Sequence, residues 1–401
     1  MKVTIEPSVA RGNIVAPPSK SMAHRMLLGA GLSCGTSTVH NIELSEDIKS
    51  TLDILEALGA RYSVEGNVVT MQGIGGGRVQ VSDRLNCRES GSTLRFFIPL
   101  VLTGGGTYEF YGARRLFARP LGIYEDICKA QGITFVKTED SLTVSGQLQV
   151  ANYKVPGNIS SQFITGLLFA LPLLAGDSTL EILPPVESKA YIEMTLEALE
   201  TYGISIKRED NTFYIKGSQT YQAKNVTVEG DYSNAAFLEA FNLIGGEVCV
   251  GGLKEDSLQG DKVYRAYFEQ LQNGAPTLDI SECPDLGPIL MGMAASLNGA
   301  RFTGTKRLAI KESDRGAVMA EELLKFGIAC DVKENEITVF AGKLQKPAVP
   351  TDSHNDHRIA MTMALLHSQV GGCIDDAGAV KKSFPTFYQV IEKLGINLTI
   401  E

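Results

Sequence analysis

A pattern that repeats about every seventy residues constrains the fold of this chain more than any other feature of its sequence. Each copy has an amphipathic helix that ends at a glycine, and two short strands follow. In the first copy the apolar helix positions are spaced by four, three and three residues, on one helical face: Ile48, Leu52, Leu55 and Leu58. The glycines that end the six helices lie 73, 71, 71, 53 and 68 residues apart: Gly59, Gly132, Gly203, Gly274, Gly327 and Gly395.

This period predicts a fold built from six similar α/β units. It is longer than the repeats of solenoid proteins and fits a compact βαβαββ-type unit. The copy after Gly274 is the weakest, and the last copy reaches Glu401 before its second strand, so residues 3–5 are expected to supply that strand. We therefore predict two α/β domains of three repeats each, one over residues 14–227 and a discontinuous one over residues 1–13 and 228–401.

Six polar clusters occur at one phase of the repeat, each directly before an apolar helical run. Their first residues lie 71, 70, 71, 53 and 71 residues apart: Ser19, Ser90, Ser160, Asp231, Pro284 and Asn355. Ser, Asp and Asn are typical N-caps, and a helix N-terminus offers free N–H groups and a partial positive charge to an anion. Capping alone explains Asp231, whereas basic residues near the other clusters favour anion binding.

The basic residues form local clusters in a chain whose net charge is −9. This charge disfavours nucleic acid and anionic membranes as partners, so the bound anions are expected to be small molecules. Lys20 and Arg25 lie in the first turns of a predicted helix, where cations oppose the helix dipole unless an anion binds there. Lys311 and Arg315 are four residues apart and share a helix face. At least one arginine of the loop 114–119 is expected to contact an anion, because guanidinium suits carboxylate and phosphate.

Several classes of protein and site are not expected. No run of 18 apolar residues predicts a membrane span, the first residues lack the apolar core of a signal peptide, and the seven scattered cysteines favour a reducing cytoplasm over disulfides or zinc. His354 and His357 alone are weak evidence for a metal. The glycine runs 75–77 and 104–106 are typical of turns rather than of nucleotide-binding loops, and Arg95 is expected to have a structural role.

Five motifs, in this order and across nearly the whole chain, resemble the 5-enolpyruvylshikimate-3-phosphate synthase family. They are Pro-Pro-Ser-Lys-Ser at 17–21 with Arg25, Ser-Ser-Gln at 160–162, Ile-Lys-Glu-Ser-Asp-Arg at 310–315, Asn-Asp-His-Arg at 355–358 and Lys-Lys-Ser-Phe-Pro at 381–385. Each motif alone is weak, but their combination is specific.

The resemblance implies a fold and a reaction. The fold is two inside-out α/β barrel domains, each of three repeats, with the active site in the cleft between them. The reaction transfers the enolpyruvyl group of phosphoenolpyruvate to the 5-hydroxyl of shikimate 3-phosphate and releases phosphate, in the shikimate pathway to aromatic amino acids. The expected partners are these two small molecules, with no cofactor, metal, nucleic acid or membrane. We expect a cytoplasmic monomer.

The resemblance also implies roles for individual residues. Phosphoenolpyruvate would be held by Lys20, Gly91, Arg119, Gln162, Arg315, Arg358 and Lys382, and His357, beside Arg358, is counted with the substrate-binding residues. Shikimate 3-phosphate would be held by Ser21, Arg25, Ser160, Ser161, Ser188 and Lys311, with Tyr191 packed nearby. Asp285 would bind substrate and accept the proton of the attacking hydroxyl, while Glu312, together with Lys20, would move a proton at the methylene carbon.

Two single positions and one pair of positions depart from the pattern of the family. Glu89 and Arg307 stand where many members have Asn, and a carboxylate at 89 would repel phosphoenolpyruvate unless Arg88 or another cation pairs with it. Phe96 and Phe97 follow Arg95, where they are expected to reshape the wall behind Gly91. These departures predict an altered response to inhibitors that mimic phosphoenolpyruvate, of undetermined sign.

Two alternatives stay open on the sequence. The sister enzyme that transfers enolpyruvyl to UDP-N-acetylglucosamine has the same fold, but its pattern has Lys-Asn where this chain has Lys20-Ser21, and its mobile loop carries a reactive Cys that the loop 114–119 lacks. A non-catalytic scaffold that only binds anions would be expected to have lost the acid–base groups, yet Lys20, Asp285 and Glu312 are present.

Overall fold

The structure is a computed structural model that describes residues 1–75 and 81–401, so Gly76 and Gly77 of one predicted turn lie outside the described residues. The strands are β1 (Val3–Ile5), β2 (Arg11–Val15), β3 (Thr36–His40), β4 (Arg61–Glu65), β5 (Val68–Gln72), β6 (Arg84–Arg88), β7 (Thr107–Gly112), β8 (Thr134–Lys137), β9 (Ser141–Ser145), β10 (Asn152–Pro156), β11 (Ser178–Leu183), β12 (Ile206–Glu209), β13 (Thr212–Ile215), β14 (Asn225–Thr227), β15 (Glu247–Gly251), β16 (Thr277–Asp279), β17 (Ala300–Thr303), β18 (Cys330–Lys333), β19 (Glu336–Val339), β20 (Thr351–Asp352), β21 (Gly372–Asp375) and β22 (Leu398–Ile400).

The α-helices are α1 (Lys20–Leu32), α2 (Glu46–Ala57), α3 (Gly91–Thr103), α4 (Arg114–Ala118), α5 (Gly122–Ala130), α6 (Ser161–Ala170), α7 (Lys189–Thr201), α8 (Tyr232–Glu239), α9 (Tyr264–Asn273), α10 (Gly287–Ser296), α11 (Arg315–Lys325), α12 (His357–Val370) and α13 (Phe387–Lys393). Short 3-10 helices cover Leu171–Leu173, Ala240–Ile244, Gly260–Val263, Pro284–Leu286, Lys306–Ile310 and Ala377–Lys382.

One βαβαββ pattern organises most of the strands. In the copy from β6 to β9, β6 pairs in parallel with β7, and the hairpin β8–β9 adds to β7 through antiparallel pairing of β9. The strands β10–β13 and β16–β19 repeat this order. A parallel pair needs a crossover, which the intervening helix supplies. Gly132 and Gly203, which precede two of the hairpins, have φ of 68° and 81°, the left-handed conformation expected of a glycine that ends a helix.

Two four-stranded sheets take a strand from a distant part of the sequence. β14 pairs in parallel with β3, and β1 pairs with both β21 and β22. The register places Val3 opposite Ile400 on one side and Ile374 on the other. The prediction that residues 3–5 complete the last repeat is therefore confirmed.

The fourth repeat differs from the prediction, because Gly274 is not followed by a hairpin. One strand, β16, comes directly after it and pairs in parallel with β17, so it is the first strand of the next repeat. The sheet of the fourth repeat consists of β2 and β15 alone. The absence of a hairpin explains why the interval from Gly274 to Gly327 is 53 residues and not about seventy.

The first helix of a repeat is buried on nearly all sides, and the sheets cover the helices. Every residue of 22–32 in α1, 287–295 in α10 and 357–368 in α12 is buried. A helix that is apolar around its whole circumference must lie inside a core. Strands such as β3 and β5 alternate buried and more exposed residues, as expected of a sheet with one face on the core. The predicted mixed α/β class with repeated units in two domains is confirmed.

The chain divides into two compact units, one of Met1–Ser19 with Gly230–Glu401 and one of Lys20–Glu229. Each unit has its own hydrophobic core. The predicted domain change at residue 14 falls inside β2, which pairs along its whole length with β15. None of the described helices has the length and apolar character needed to cross a bilayer.

Candidate active site

Most of the predicted polar clusters begin helices in the structure. Ser90, Ser160 and Asp231 cap α3, α6 and α8, each accepting a hydrogen bond from a backbone N–H two or three residues later. In the cluster that starts at Asn355 the cap is the next residue, Asp356, whose carboxylate accepts the N–H of Arg358 at 2.9 Å. The fold thus places polar groups at the starts of equivalent helices in both units.

In the unit Lys20–Glu229, Arg25 is a buried cation held by neutral oxygens. Its Nε donates to Thr195 Oγ1 at 3.0 Å, Nη1 donates to the carbonyl of Ser21 at 2.7 Å, and Nη2 donates to the carbonyl of Tyr191 at 3.0 Å and to Thr165 Oγ1 at 3.3 Å. Burial lowers the pKa of Arg25 to about 10, so the side chain stays charged at neutral pH. A buried cation held by neutral oxygens favours a nearby anion.

The predicted residues Ser21, Ser188 and Tyr191 lie on the helices next to Arg25. Ser21 is in the first turn of α1, and Ser188 has a left-handed backbone with φ of 55° directly before α7. The ring of Tyr191 lies 5.9 Å from the Arg25 guanidinium. Lys20 is the first residue of α1, and its Nζ lies 2.9 Å from Asp47 Oδ2. Ser21, Arg25 and Tyr191 are therefore brought together as the sequence predicted.

A second set of predicted residues meets around Arg95. The guanidinium donates to Gln162 Oε1 and to the carbonyl of Pro120, both at 2.9 Å, and lies over the ring of Phe163. It therefore fixes Gln162 and the residue that follows Arg119, which agrees with the structural role expected of Arg95.

Gly91 begins α3 beside this set. A methyl group at Gly91 would lie 2.5 Å from Nη1 of Arg119 and 2.9 Å from Nη1 of Arg95. Only glycine leaves Arg119 in its present position, because Arg95 is fixed by its own hydrogen bonds. Gln162 Nε2 also donates to Ser92 Oγ at 2.9 Å, so the start of α3 and the start of α6 (with Ser160 and Ser161) are joined.

In the unit of Met1–Ser19 with Gly230–Glu401, Asp285, whose side chain is 20% exposed, is the centre of a charge network. Its Oδ1 lies 2.7 Å from Arg315 Nη1 and 3.1 Å from Lys311 Nζ, and its Oδ2 lies 3.3 Å from Arg358 Nη2. Burial alone would raise the pKa of Asp285, but Arg358, Lys311 and Arg315 hold it well below its usual range. The carboxylate is therefore ionised at neutral pH.

Arg315 links three carboxylates. Besides Asp285, its Nη2 lies 2.8 Å from Glu312 Oε2 and its Nε lies 2.8 Å from Asp356 Oδ2. Only 1% of the Arg315 side chain is exposed. Burial alone would lower its pKa, but Asp356, Glu312 and Asp285 raise it. Burial lowers the pKa of Lys311, whose Nζ lies 3.1 Å from Asp285 Oδ1.

Lys382, His357 and Arg358 join the network through the start of α12. Lys382 Nζ donates to the carbonyl of Asn355 at 2.5 Å, and His357 Nδ1 lies 3.8 Å from Asp356 Oδ1. Arg358 also lies over the ring of Phe237, 6.0 Å from its centroid. The structure therefore connects Asp285, Lys311, Glu312, Arg315, His357, Arg358 and Lys382 within one unit.

The family model of EPSP synthase (3-phosphoshikimate 1-carboxyvinyltransferase) matches residues 6–391. The chain belongs to the EPSP synthase family. A 3-phosphoshikimate 1-carboxyvinyltransferase of Clostridium kluyveri is 38% identical over 416 residues, covering 98% of this chain and 97% of the relative. One of Clostridium novyi is 39% identical over 424 residues with the same coverage. An EPSP synthase structure from Acinetobacter baumannii has a TM-score of 0.80 at 21% identity, covering 100% of this chain and 99% of that one.

The positions that depart from the EPSP synthase pattern have defined surroundings. The guanidinium of Arg88, which the sequence offered as a partner for Glu89, pairs with Glu46 and with Asp53 Oδ2, the latter at 2.8 Å. Arg307 donates to the carbonyl of Ser281. Burial is the main cause of the lowered pKa of Lys311, and the positive charge of Arg307 makes a smaller contribution.

Phe96 is buried and lies against Arg25. Its ring is 5.6 Å from the Arg25 guanidinium and meets His24 edge-on at 6.3 Å. Phe96 thus lies against Arg25, a residue that the resemblance assigns to shikimate 3-phosphate. A role of Phe96 in inhibitor response remains a prediction.

Some residues around the EPSP synthase motifs were not singled out from the sequence. Asp356 lies inside a motif, and its position directly before a helix could have indicated its role as a cap. Asp47, Thr165 and Thr195 lie in no sequence pattern that indicates a place in the site. Asp261 is buried, and its Oδ1 accepts no hydrogen bond from the described residues. Burial, and then Asp285, raise the pKa of Asp261 to about 6. Only tertiary contacts bring these groups to the predicted residues.

Proposed function

We propose that this chain transfers the enolpyruvyl group of phosphoenolpyruvate to the 5-hydroxyl of shikimate 3-phosphate and releases phosphate, using the residues described above. This is the reaction of the EPSP synthase family, to which the chain belongs. The observation that carries the residue assignment is the partly buried network in which three cations lie within 3.3 Å of the Asp285 carboxylate. Both substrates carry several negative charges, so fixed cations are what their binding and reaction require.

Shikimate 3-phosphate is assigned to Arg25 and the residues near it. Arg25 is buried, charged and held by hydroxyl and carbonyl oxygens, which leaves its charge available to a phosphate or carboxylate. Ser21, Ser160, Ser161 and Ser188 supply hydroxyl donors at three helix starts, and the ring of Tyr191 lies 5.9 Å from the Arg25 guanidinium. Lys311, in the other unit, is assigned to the same substrate because it lies in a motif of the EPSP synthase family.

Phosphoenolpyruvate is assigned to a set of cations that includes two of the three beside Asp285 and the Arg119 side chain beside Gly91. In one unit these are Arg315, Arg358 and Lys382, with His357 next to them, and in the other Lys20 and Arg119, with Gly91 and Gln162. The Arg95 hydrogen bonds support this grouping, since they fix Gln162 and the residue after Arg119. Residues of the unit Lys20–Glu229 and of the unit formed by Met1–Ser19 with Gly230–Glu401 would then each contribute to the binding of the substrates.

Asp285 is the proton acceptor in this assignment. Without substrate its surrounding cations keep its pKa well below the usual range, which makes it a weak base. Anionic substrates that bind Arg358, Lys311 and Arg315 neutralise this positive field, so the pKa of Asp285 rises toward the range in which it can take a proton. The 5-hydroxyl oxygen then bonds to C2 of phosphoenolpyruvate while its proton passes to Asp285.

Glu312 is assigned to proton transfer at the methylene carbon, together with Lys20. Its carboxylate lies 2.8 Å from Arg315, a cation assigned to phosphoenolpyruvate, so it is close to where that substrate would bind. Addition delivers a proton to the methylene carbon and makes it a methyl group. Elimination removes a proton from that carbon as the bond to phosphate oxygen breaks, which restores the double bond and releases phosphate.

Phosphate release is the direct test. We expect turnover with phosphoenolpyruvate plus shikimate 3-phosphate and none with phosphoenolpyruvate plus UDP-N-acetylglucosamine; activity with the nucleotide sugar alone would overturn the proposal. Asp285→Ala and Glu312→Ala proteins that bind substrate and keep full turnover would overturn the two proton-transfer roles.

We further propose that the protein acts as a monomer in the cytoplasm. Light scattering after gel filtration should give a mass near 43.2 kDa. A mass of twice this value would contradict the monomer.

A further inference from the structure

One buried carboxylate beside the Asp285 network has no role in the chemistry assigned above. Glu322 lies seven residues, or two turns, after Arg315 on α11, so the two share a face of the helix. Its side chain is fully buried. Glu322 Oε1 lies 2.8 Å from both Lys325 Nζ and His354 Nε2, and Oε2 accepts the backbone N–H of Asp352 at 3.1 Å. Both oxygens are therefore engaged, and two of the three partners belong to the segment that precedes α12.

That segment has an unusual backbone. His354 and Asn355 have φ of 50° and 54°, in the left-handed region that residues with side chains rarely adopt. Such conformations persist only where the surroundings hold them. Within the segment, His354 N donates to Asp352 Oδ1 at 2.5 Å and Ser353 Oγ donates to the carbonyl of Asp376 at 2.7 Å. The contact between Glu322 and the segment adds two attachments to α11.

The next residues of the segment hold three of the cations assigned to phosphoenolpyruvate. The carbonyl of Asn355 accepts Lys382 Nζ at 2.5 Å. The carboxylate of Asp356 lies 2.8 Å from Arg315 Nε and caps the helix at the N–H of Arg358 at 2.9 Å. A displacement of the left-handed pair would therefore move the supports of Arg315, Arg358 and Lys382 together.

We propose that Glu322 and His354 are positioning residues, which hold residues 352–358 against α11 and so set the geometry of the phosphoenolpyruvate-binding cations. The inference rests on the proposed function, because it assumes that Arg315, Arg358 and Lys382 bind phosphoenolpyruvate. Neither Glu322 nor His354 needs to touch the substrate. A misplacement of about 1 Å caused by a distant substitution can reduce activity about a hundredfold, so a partial loosening has a measurable effect.

Two conservative variants test the proposal. Glu322→Gln keeps the shape and one acceptor oxygen but cannot serve all three donors, and His354→Asn keeps a residue that tolerates the left-handed backbone but removes the imidazole contact. Glu321→Gln is the matched control, since Glu321 is the exposed neighbour on the same helix. We measure KM for each substrate, kcat and the thermal midpoint by phosphate release and thermal melting.

The expected pattern is selective for one substrate. Glu322→Gln and His354→Asn should raise KM for phosphoenolpyruvate by about tenfold, less than the hundredfold of a full misplacement, and leave KM for shikimate 3-phosphate within about twofold. Glu321→Gln should change neither constant. If Glu322→Gln does not fold, His354→Asn carries the test, because its side chain is 28% exposed and its loss disturbs less of the core.

Three outcomes would overturn the proposal. A lower thermal midpoint with unchanged KM for phosphoenolpyruvate would make Glu322 a purely structural residue. Glu321, Glu322 and His354 offer ligand atoms within 4.8 Å of one another. If Glu321→Gln loses as much activity as Glu322→Gln, and if EDTA removes the activity of the parent protein and Zn²⁺ restores it, these residues form a cation site instead. If the variants raise KM for shikimate 3-phosphate as much as KM for phosphoenolpyruvate, residues 352–358 do not act selectively on the phosphoenolpyruvate-binding cations.

A Lys382→Ala variant separates this inference from the proposed function. If Lys382→Ala leaves KM for phosphoenolpyruvate unchanged, the assignment of the cations fails. If Lys382→Ala raises it and both positioning variants do not, the assignment stands and the positioning role fails.

Discussion

Replacement of Asp285 by Asn isolates the charge of the proposed proton acceptor. The carboxylate lies 2.7 Å from Arg315, 3.1 Å from Lys311 and 3.3 Å from Arg358. Asn has almost the same shape and keeps one acceptor oxygen, but it carries no charge and cannot take the proton of a hydroxyl. The variant therefore removes the base and leaves the site filled.

The expected loss of kcat follows from general base catalysis. A positioned base contributes about 10²- to 10⁴-fold, or about 3 to 5 kcal/mol of transition-state stabilisation at 1.36 kcal/mol per tenfold. The affinity for phosphoenolpyruvate should not fall, because the lost carboxylate competes with that substrate for Arg315 and Arg358. A fall in kcat with an equal or lower Kd for phosphoenolpyruvate is thus the specific signature.

The same variant has a stability cost whose pH dependence has a defined sign. Removal of one partner of a buried ion pair costs about 3 to 5 kcal/mol, and the lower end applies because Arg315 keeps Asp356 and Glu312. The folded pKa of Asp285 lies below its unfolded value of about 3.9, so its stabilisation is present above pH 4 and is lost as the pH falls through the lower folded pKa. The difference in thermal midpoint between the proteins should therefore shrink in acid.

Phosphate release at saturating substrates gives kcat, and calorimetric titration in the presence of shikimate 3-phosphate gives the Kd for phosphoenolpyruvate. Asp256→Asn is a suitable control, because Asp256 is 78% exposed in the same unit and pairs only loosely with Lys254 at 3.5 Å. A kcat for Asp285→Asn within about fivefold of the parent, with unchanged binding, would refute the reasoning, since it lies well below the range for a lost base.

Three further variants test neighbouring features. Gly91→Ala should raise KM for phosphoenolpyruvate about tenfold with little change for shikimate 3-phosphate, because the new methyl would lie 2.5 Å from Arg119 Nη1; equal constants in steady-state kinetics would contradict this. Phe96→Leu removes the ring over Arg25, so KM for shikimate 3-phosphate should rise about twofold to tenfold, and a rise confined to phosphoenolpyruvate would count against the contact. Burial raises the folded pKa of Asp261 to about 6, above its unfolded value, so ionisation of this carboxyl destabilises the fold as the pH rises toward 6. Asp261→Asn should therefore increase the free energy of unfolding by about 1 to 3 kcal/mol at pH 8 and by less at pH 4, with a higher thermal midpoint. A loss of stability at pH 8 would refute this prediction.

The helix ends and the repeat were predictable because they depend on residue types that are close together in the sequence. Glycines such as Gly132 and Gly203 mark helix ends because the left-handed backbone excludes most other residues, and this requirement is local. The hairpin after Gly274 was wrongly predicted, because the sequence of a single apolar strand does not show whether it pairs with the next strand in a hairpin or begins the sheet of the next repeat. Strand pairing is a property of partners distant in sequence, as for β16 with β17.

The candidate site was predictable as a set of residues and not as a network. Helix starts such as Ser90 and Ser160 follow from capping, and motif order indicated the family. Asp261 was missed because an isolated acid in a polar stretch carries no mark of its burial. Its pKa depends on Asp285, which is 24 residues away (285 − 261) and belongs to another element.

By itself, the sequence of this protein determined the repeat, the positions of most helix starts and the family, because each of these depends on residue types at short or regular spacing. Only the tertiary structure decided which cation meets which carboxylate. Arg315 reaches Asp285 and Asp356 across 30 and 41 residues of chain, and Arg25 reaches Thr165 and Thr195 across 140 and 170. Electrostatic energy depends on distance and burial, and both are established only when the helices of different repeats pack into one core.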